Sequence, residues 1–130
     1  MSRYLVDTHV WLWLQAEPDR LTGTLRTKLS EAGTLFLSAA SAWEIAIKYG
    51  LGRLPLPEHP RIYVPARLRS SGTSGLAVEI DHVHRVTDLP PHHRDPFDRL
   101  LIAQAQALNL PIVTADERFG NYDVQVIEAG

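Results

Sequence analysis

Arg3-Tyr4-Leu5-Val6-Asp7-Thr8-His9-Val10-Trp11-Leu12-Trp13-Leu14 decides how the rest of the chain is read. Arg3 to Asp7 is a short apolar run of strand length that ends in an acid. Val10, Trp11, Leu12 and Leu14 then follow a helical pattern, with no turn residue between the two segments. A strand that passes directly into a helix opens a βα unit. Pro18 closes this first helix.

The same alternation continues outward. Leu21, Leu25 and Leu29 line one face of a second helix that ends near Gly33, and Leu35-Phe36-Leu37 is a second buried strand. Ser38 or Ser41 can cap the next helix, Ala42 to Tyr49, which stops at Gly50. Leu51 to Pro60 reads as a loop, and Ile62 to Arg69 as a weaker helix interrupted or started by Pro65. Ser70 to Gly75 reads as a flexible turn, Leu76 to Ile80 as a third strand and His82 to Thr87 as a short helix. After a Pro/His-rich loop, Leu89 to Asp95, Pro96 sits in the first turn of a long helix. Pro111 to Thr114 is a fourth strand, and Val124 to Ile127 closes the sheet. Buried strands alternating with helices predict an α/β fold, a three-layer sandwich around a mostly parallel central sheet, as one domain over residues 1–130.

Composition narrows the chemistry. Apolar residues make up 45% and charged residues 22%, which excludes a disordered chain. The absence of cysteine excludes disulfides, zinc–thiolate centres and cysteine nucleophiles, and fits a reducing cytosol. Val10 to Leu14 is too short for the apolar core of a signal peptide, and nothing approaches a membrane span of about 20 residues. The expectation is a cytoplasmic protein. A net charge of −2 means that any contact with nucleic acid rests on a metal or a local basic rim.

Parallel sheets place functional groups beyond the carboxyl ends of their strands. Asp7 and Asp116 both stand there, Glu44 lies in the helix after the second strand, and Asp98 lies in the first turn of the long helix. Strand ends and helix starts share one edge, so the four can meet. Carboxylates about 5 Å apart repel by about 3 kcal/mol per pair at an effective dielectric of about 20. A cation relieves that repulsion, and Mg²⁺ wants such hard oxygen ligands. Each acid also has a plainer reading: Asp7 as a helix cap, Glu44 as a partner of Lys48, Asp98 as a helix-start acid, Asp116 as a turn residue. Asp95 and Asp98 are separated by Pro96, which pushes Asp95 out of helical geometry. Asp95 is therefore expected as the cap and Asp98 as the metal ligand.

Leu5 to His9, Leu37 to Lys48 (LSAASAWEIAIK), Asp95 to Ala105 (DPFDRLLIAQA) and Ile112 to Asp116 (IVTAD) resemble the successive motifs of PIN-domain proteins. More narrowly they resemble the VapC toxins of bacterial type II toxin–antitoxin systems. The resemblance covers Tyr4 to Ile127 and is weakest over Pro55 to Gly75. It implies a Mg²⁺- or Mn²⁺-dependent endoribonuclease, dimerisation, and silencing by a VapB-like antitoxin. It also implies an acidic site of Asp7, Glu44, Asp98 and Asp116, with Asp7, Asp98 and Asp116 on the metal and Thr114 hydrogen-bonded to a site carboxylate. Thr8 and Ser38 are supporting groups on the same footing, with ordinary capping as the alternative.

Other residues are expected to be ordinary. His82, His84, His92 and His93 read as solvent-exposed, and Trp11, Trp13 and Trp43 as core. The arginines read mostly as scattered surface charge, with Arg99 beside Asp98 as the candidate contact on an RNA rim. A phosphotransferase with an aspartyl nucleophile needs a second acid where His9 stands. A receiver domain needs an adjacent acidic pair that is missing. A non-catalytic RNA- or protein-binding module is the remaining alternative. An acidic quartet argues against it, because negative charge in a cleft repels RNA.

Overall fold

β1 (Arg3–Val6), β2 (Thr34–Ser38), β3 (Thr73–Leu76), β4 (Ile112–Thr114) and β5 (Val126–Glu128) form one sheet in the computed structural model, which describes residues 2–129. The order is β3-β2-β1-β4-β5, and every pairing is parallel. Helices α1 (Thr8–Ala16), α2 (Gly23–Ser30), α3 (Ala39–Gly50), α4 (Pro60–Ser71), α5 (Ile80–Arg85) and α6 (Pro96–Leu108) connect the strands.

Side chains alternate along each strand, and each face has its own core. Tyr4, Val6, Leu35, Leu37 and Val113 pack with Trp11 of α1, Leu25 and Leu29 of α2, Ile45 of α3 and Tyr63 of α4. Leu5 and Ile112 pack on the other face with Leu101, Ile102 and Ala105 of α6 and with Phe119. The central strands are covered on both sides, which is why Leu5-Val6 and Ile112-Val113 are unbroken apolar runs. The three-layer sandwich is as expected, with a wholly parallel sheet.

The topology creates the site. From β1 the chain builds outward through β2 to β3, then returns through α5 and α6 to β4 on the other side of β1. Connections leaving β1 and β4 therefore diverge, and a crevice opens at the carboxyl ends of these two strands.

The third strand lies earlier than its apolar pattern suggests. Thr73–Leu76 pairs with β2 from Leu35 to Ser38, whereas Ile80 already begins α5 and is exposed. An edge strand with one neighbour tolerates Thr-Ser-Gly, so hydrophobicity marks it poorly. The expected flexible turn over 70–75 is instead the end of α4 and the start of β3. Gly72, at φ +66°, stops the helix in the left-handed conformation that glycine adopts without penalty. Pro60, not Pro65, starts α4, and Pro65 is carried inside it. Helix α3 begins at Ala39 because Ser38 Oγ accepts from the Ala40 amide at 3.0 Å, which settles the cap on Ser38.

Candidate active site

Asp7 is the first residue after β1 and the N-cap of α1. Its Oδ1 accepts from the Thr8 amide at 2.7 Å, and its Oδ2 accepts from the Thr114 hydroxyl at 2.8 Å. The capping role is thus real and leaves the second oxygen turned toward β4. Thr114 Oγ1 also accepts from the Asp116 amide at 3.0 Å, so one hydroxyl links the two strand ends. Thr8 Oγ1 donates to Ser41 Oγ at 2.8 Å, which ties α1 to α3. Ser41, freed from capping, is a supporting residue that sequence reasoning missed.

Glu44 is buried on α3. Its Oε2 pairs with Lys48 Nζ at 2.6 Å, while its Oε1 is buried without a hydrogen-bond partner. An orphaned buried acceptor costs about 1–3 kcal/mol. Asp98 occupies the third position of α6, after Pro96 and Phe97. Asp95 caps this helix: its Oδ1 accepts from the Phe97 amide at 2.8 Å and the Asp98 amide at 3.1 Å. Asp116 follows β4 and caps a short 3-10 helix over Glu117–Asn121.

Asp7, Glu44, Asp98 and Asp116 line one cleft, with Lys48 and Arg118 at its edge. Burial pushes the Asp98 carboxyl up to about 8, and the neighbouring charges of Asp7, Asp95, Glu44 and Asp116 push it the same way. Burial also raises Asp7, against the opposing hydrogen bond from Thr114. Burial would raise Asp116 too, but hydrogen bonds from Arg118 and His93 outweigh it and hold that carboxyl down at about 2. The Arg118 guanidinium clasps both Asp116 oxygens, with Nε at 3.0 Å and Nη2 at 2.8 Å.

Several expectations need correction. His93 is buried, with Nε2 at 3.0 Å from both Asp98 Oδ2 and Asp116 Oδ2. His82 is buried as well, because its Nδ1 accepts from the Glu79 amide in a capping box. Trp43 is 61% exposed and meets Phe97 edge-on. Its neighbour Glu44 takes the inward position, and adjacent helical residues point about 100° apart. Arg99 does not face the cleft: its guanidinium donates to the carbonyls of Val86, Leu89, Pro90 and His93. Arg118 is the arginine on the acids. Its one sequence clue is its place two residues after Asp116.

The residues present fit a hard divalent cation. The candidate ligand atoms are carboxylate oxygens, one buried oxygen lacks any donor, and burial together with the neighbouring acids raises Asp98 to about 8, a shift that a cation would offset. The carboxylate oxygens of Asp98 and Asp116 and the imidazole nitrogen of His93 lie within 4.8 Å of one another.

Comparison with known proteins gives concordant results. A model of the PIN domain matches residues 4–125. Ribonuclease VapC16 of Mycobacterium tuberculosis (strain ATCC 25618 / H37Rv) is 61% identical over 51 residues, 39% of this chain and 35% of that relative. The chain therefore matches only about a third of that relative's length. The structure of VapBC2 from Rickettsia felis bound to a promoter DNA fragment superposes with a TM-score of 0.74 at 16% identity, covering 98% of this chain and 99% of that one. DNA-bound VapBC from Salmonella typhimurium gives 0.71 at 15% identity, covering 98% of each chain. At these identities the two superpositions establish the fold.

Proposed function

The chain belongs to the PIN domain family, and from that premise we propose that it is a divalent-metal-dependent endoribonuclease, the toxin of a toxin–antitoxin pair acting in the cytoplasm. The observation that carries the reading is the acid cluster itself. Four carboxylates from four separate elements share one cleft at the switch point of the sheet, and one of them is pushed up to about 8. A protein that only binds RNA has no use for such a concentration of negative charge. The 61% identity to part of a protein named as a ribonuclease supports the same reaction class.

In this reading Asp7, Asp98 and Asp116 hold Mg²⁺ or Mn²⁺, and Glu44 completes the site. A bound cation supplies Lewis-acid activation of the phosphoryl group and lowers the pKa of the attacking water. Thr114 fixes the rotamer of Asp7 through its 2.8 Å hydrogen bond and orients the backbone of Asp116. Lys48 holds Glu44 by one oxygen, leaving Oε1 as an acceptor for a water proton. Asp98 must release its proton before it can serve as a ligand. Arg118 is exposed, so its guanidinium could exchange Asp116 for a phosphate of the RNA, and Arg–phosphate pairing is strong and bidentate. The partner is a small basic antitoxin whose arginine would compete for the same carboxylates, and the functional unit is a homodimer.

The test is incubation of the full chain with single-stranded RNA and millimolar Mg²⁺. Expected is endonucleolytic cleavage that EDTA abolishes and that Asp98→Asn lacks. Cleavage indifferent to EDTA, or wild-type cleavage by a folded Asp98→Asn, overturns the reading.

A further inference from the structure

His93 sits at the end of a loop that is unusually well held. Tyr122 Oη accepts from the His93 amide at 2.8 Å and donates to the Pro90 carbonyl at 2.8 Å. The Arg99 guanidinium gathers the carbonyls of Val86, Leu89, Pro90 and His93 at 3.1 to 3.3 Å. The imidazole packs edge-on against Phe119, with ring centroids 5.8 Å apart. Most of this bonding serves backbone atoms, and the side chain it delivers is a single buried ring.

Hydrogen bonding fixes the state of that ring. Nδ1 accepts from the Asp95 amide at 3.1 Å, so Nδ1 carries no proton. A neutral imidazole with a bare Nδ1 has its proton on Nε2. That Nε2–H donates to Asp116 Oδ2 at 3.0 Å, and Asp98 Oδ2, carried by a different element, lies 3.0 Å from the same nitrogen. To bind a metal through Nε2, the ring would have to move its proton to Nδ1, against the Asp95 N–H. The ring therefore acts as a donor to Asp116 and a close neighbour of Asp98, and not as a ligand.

We propose that His93 is a positioning residue that sets the spacing and orientation of the Asp98 and Asp116 carboxylates for a divalent cation. The proposal rests on the reading of these acids as the metal site. The ring nitrogen holds Asp116 Oδ2 by a hydrogen bond and has Asp98 Oδ2 packed against it, so one rigid imidazole fixes where both oxygens stand. The same arrangement leaves the remaining oxygen of each carboxylate free of His93. Partners that orient metal ligands typically change affinity or activity about 10- to 100-fold when removed.

Two substitutions separate the two nitrogens. Asn places an oxygen near the position of Nδ1 but has no donor at the position of Nε2. Gln reaches the position of Nε2 with an N–H but has no acceptor for the Asp95 amide. The experiment titrates Mn²⁺ alone into the purified full chain by calorimetry, with melting temperature and RNA cleavage measured in parallel. His93→Asn is expected to melt near wild type yet bind Mn²⁺ at least about tenfold more weakly. His93→Gln is expected to melt lower yet recover most of the Mn²⁺ affinity. Tyr122→Phe, which frees the His93 amide without touching either acid, is expected to weaken Mn²⁺ binding mildly and covers the case of an unfolded His93 variant. Wild-type Mn²⁺ affinity in a folded His93→Asn or Tyr122→Phe overturns the proposal, as does equal impairment of the Asn and Gln variants. Asp98→Asn separates the two claims. If it loses Mn²⁺ binding while His93→Asn keeps it, only the role of His93 fails. If Asp98→Asn binds Mn²⁺ and cleaves RNA as wild type does, the acid site itself fails.

Discussion

Two buried polar clusters in this sheet make opposite choices. At the start of β3, Trp11 Nε1 donates to Thr73 Oγ1 at 3.1 Å, and Thr73 lies 2.7 Å from Ser71 Oγ. Ser71 Oγ donates to the Arg67 carbonyl at 2.6 Å, so Thr73 must donate to Ser71. The chain of donors runs one way and leaves no group unpaired. At the ends of β1 and β4, acids crowd together, Glu44 Oε1 has no donor, and Asp98 is pushed up to about 8. The first cluster stabilises the fold. The second is tolerated at a cost, which is the pattern of a site shaped for a ligand.

The sharpest way to break this contrast is to neutralise one acid. Asp98→Asn is expected to lower RNA cleavage by orders of magnitude while keeping or raising the metal-free melting temperature. A variant that is both inactive and strongly destabilised would make the acid cluster structural.

The next largest effect is on pH dependence. Folded Asp98 holds its proton to about 8, whereas the unfolded chain releases it near 3.8. Between those values the folded state binds more protons, so stability is greatest below the lower value and falls as pH rises to the upper one. The slope from this group is at most about 1.4 kcal/mol per pH unit. Denaturant melts without metal are expected to show it, and Asp98→Asn is expected to flatten it. A wild-type curve that rises over this window counts against the crowding.

Thr73→Val tests the satisfied cluster. It strands the buried indole N–H of Trp11, with an expected loss of about 1–3 kcal/mol in chemical denaturation. Cleavage per folded molecule should be unchanged. The smallest effect is at Asp95, where Asp95→Ala removes the α6 cap and is expected to cost about 1 kcal/mol with a modest loss of rate. An Asp95→Ala variant as inactive as Asp98→Ala would enlarge the site.

The same contrast explains what the sequence discloses. Most of the acid cluster is visible from the chain because Asp7, Asp98 and Asp116 stand at element boundaries, whereas Glu44 lies inside α3. Asp7 and Asp116 end apolar runs, and Pro96 separates Asp95 from Asp98. The central strands are visible because burial on both faces leaves them without polar interruption. The Trp11–Thr73–Ser71 chain is invisible, since Thr-Ser-Gly on an edge strand looks like a turn until β2 pairs with it. His93 is hidden for a related reason. A histidine in a Pro-rich loop looks solvated, and the tertiary contacts that turn it inward, the Arg99 and Tyr122 hydrogen bonds among them, are not legible in the sequence. Arg99 itself looks like a rim charge because its neighbour is Asp98, yet helix geometry sends the two side chains apart.

Melting temperature with and without millimolar Mg²⁺, for the wild type, Thr73→Val and an Asp98→Ala/Asp116→Ala double variant, tests the central claim most directly. Binding to the folded state alone raises stability by mass action. The wild type and Thr73→Val are expected to gain melting temperature on adding Mg²⁺, and the double variant to gain none. A wild-type melting temperature indifferent to Mg²⁺, or an equal gain in the double variant, would contradict the claim that these acids form a divalent-cation site.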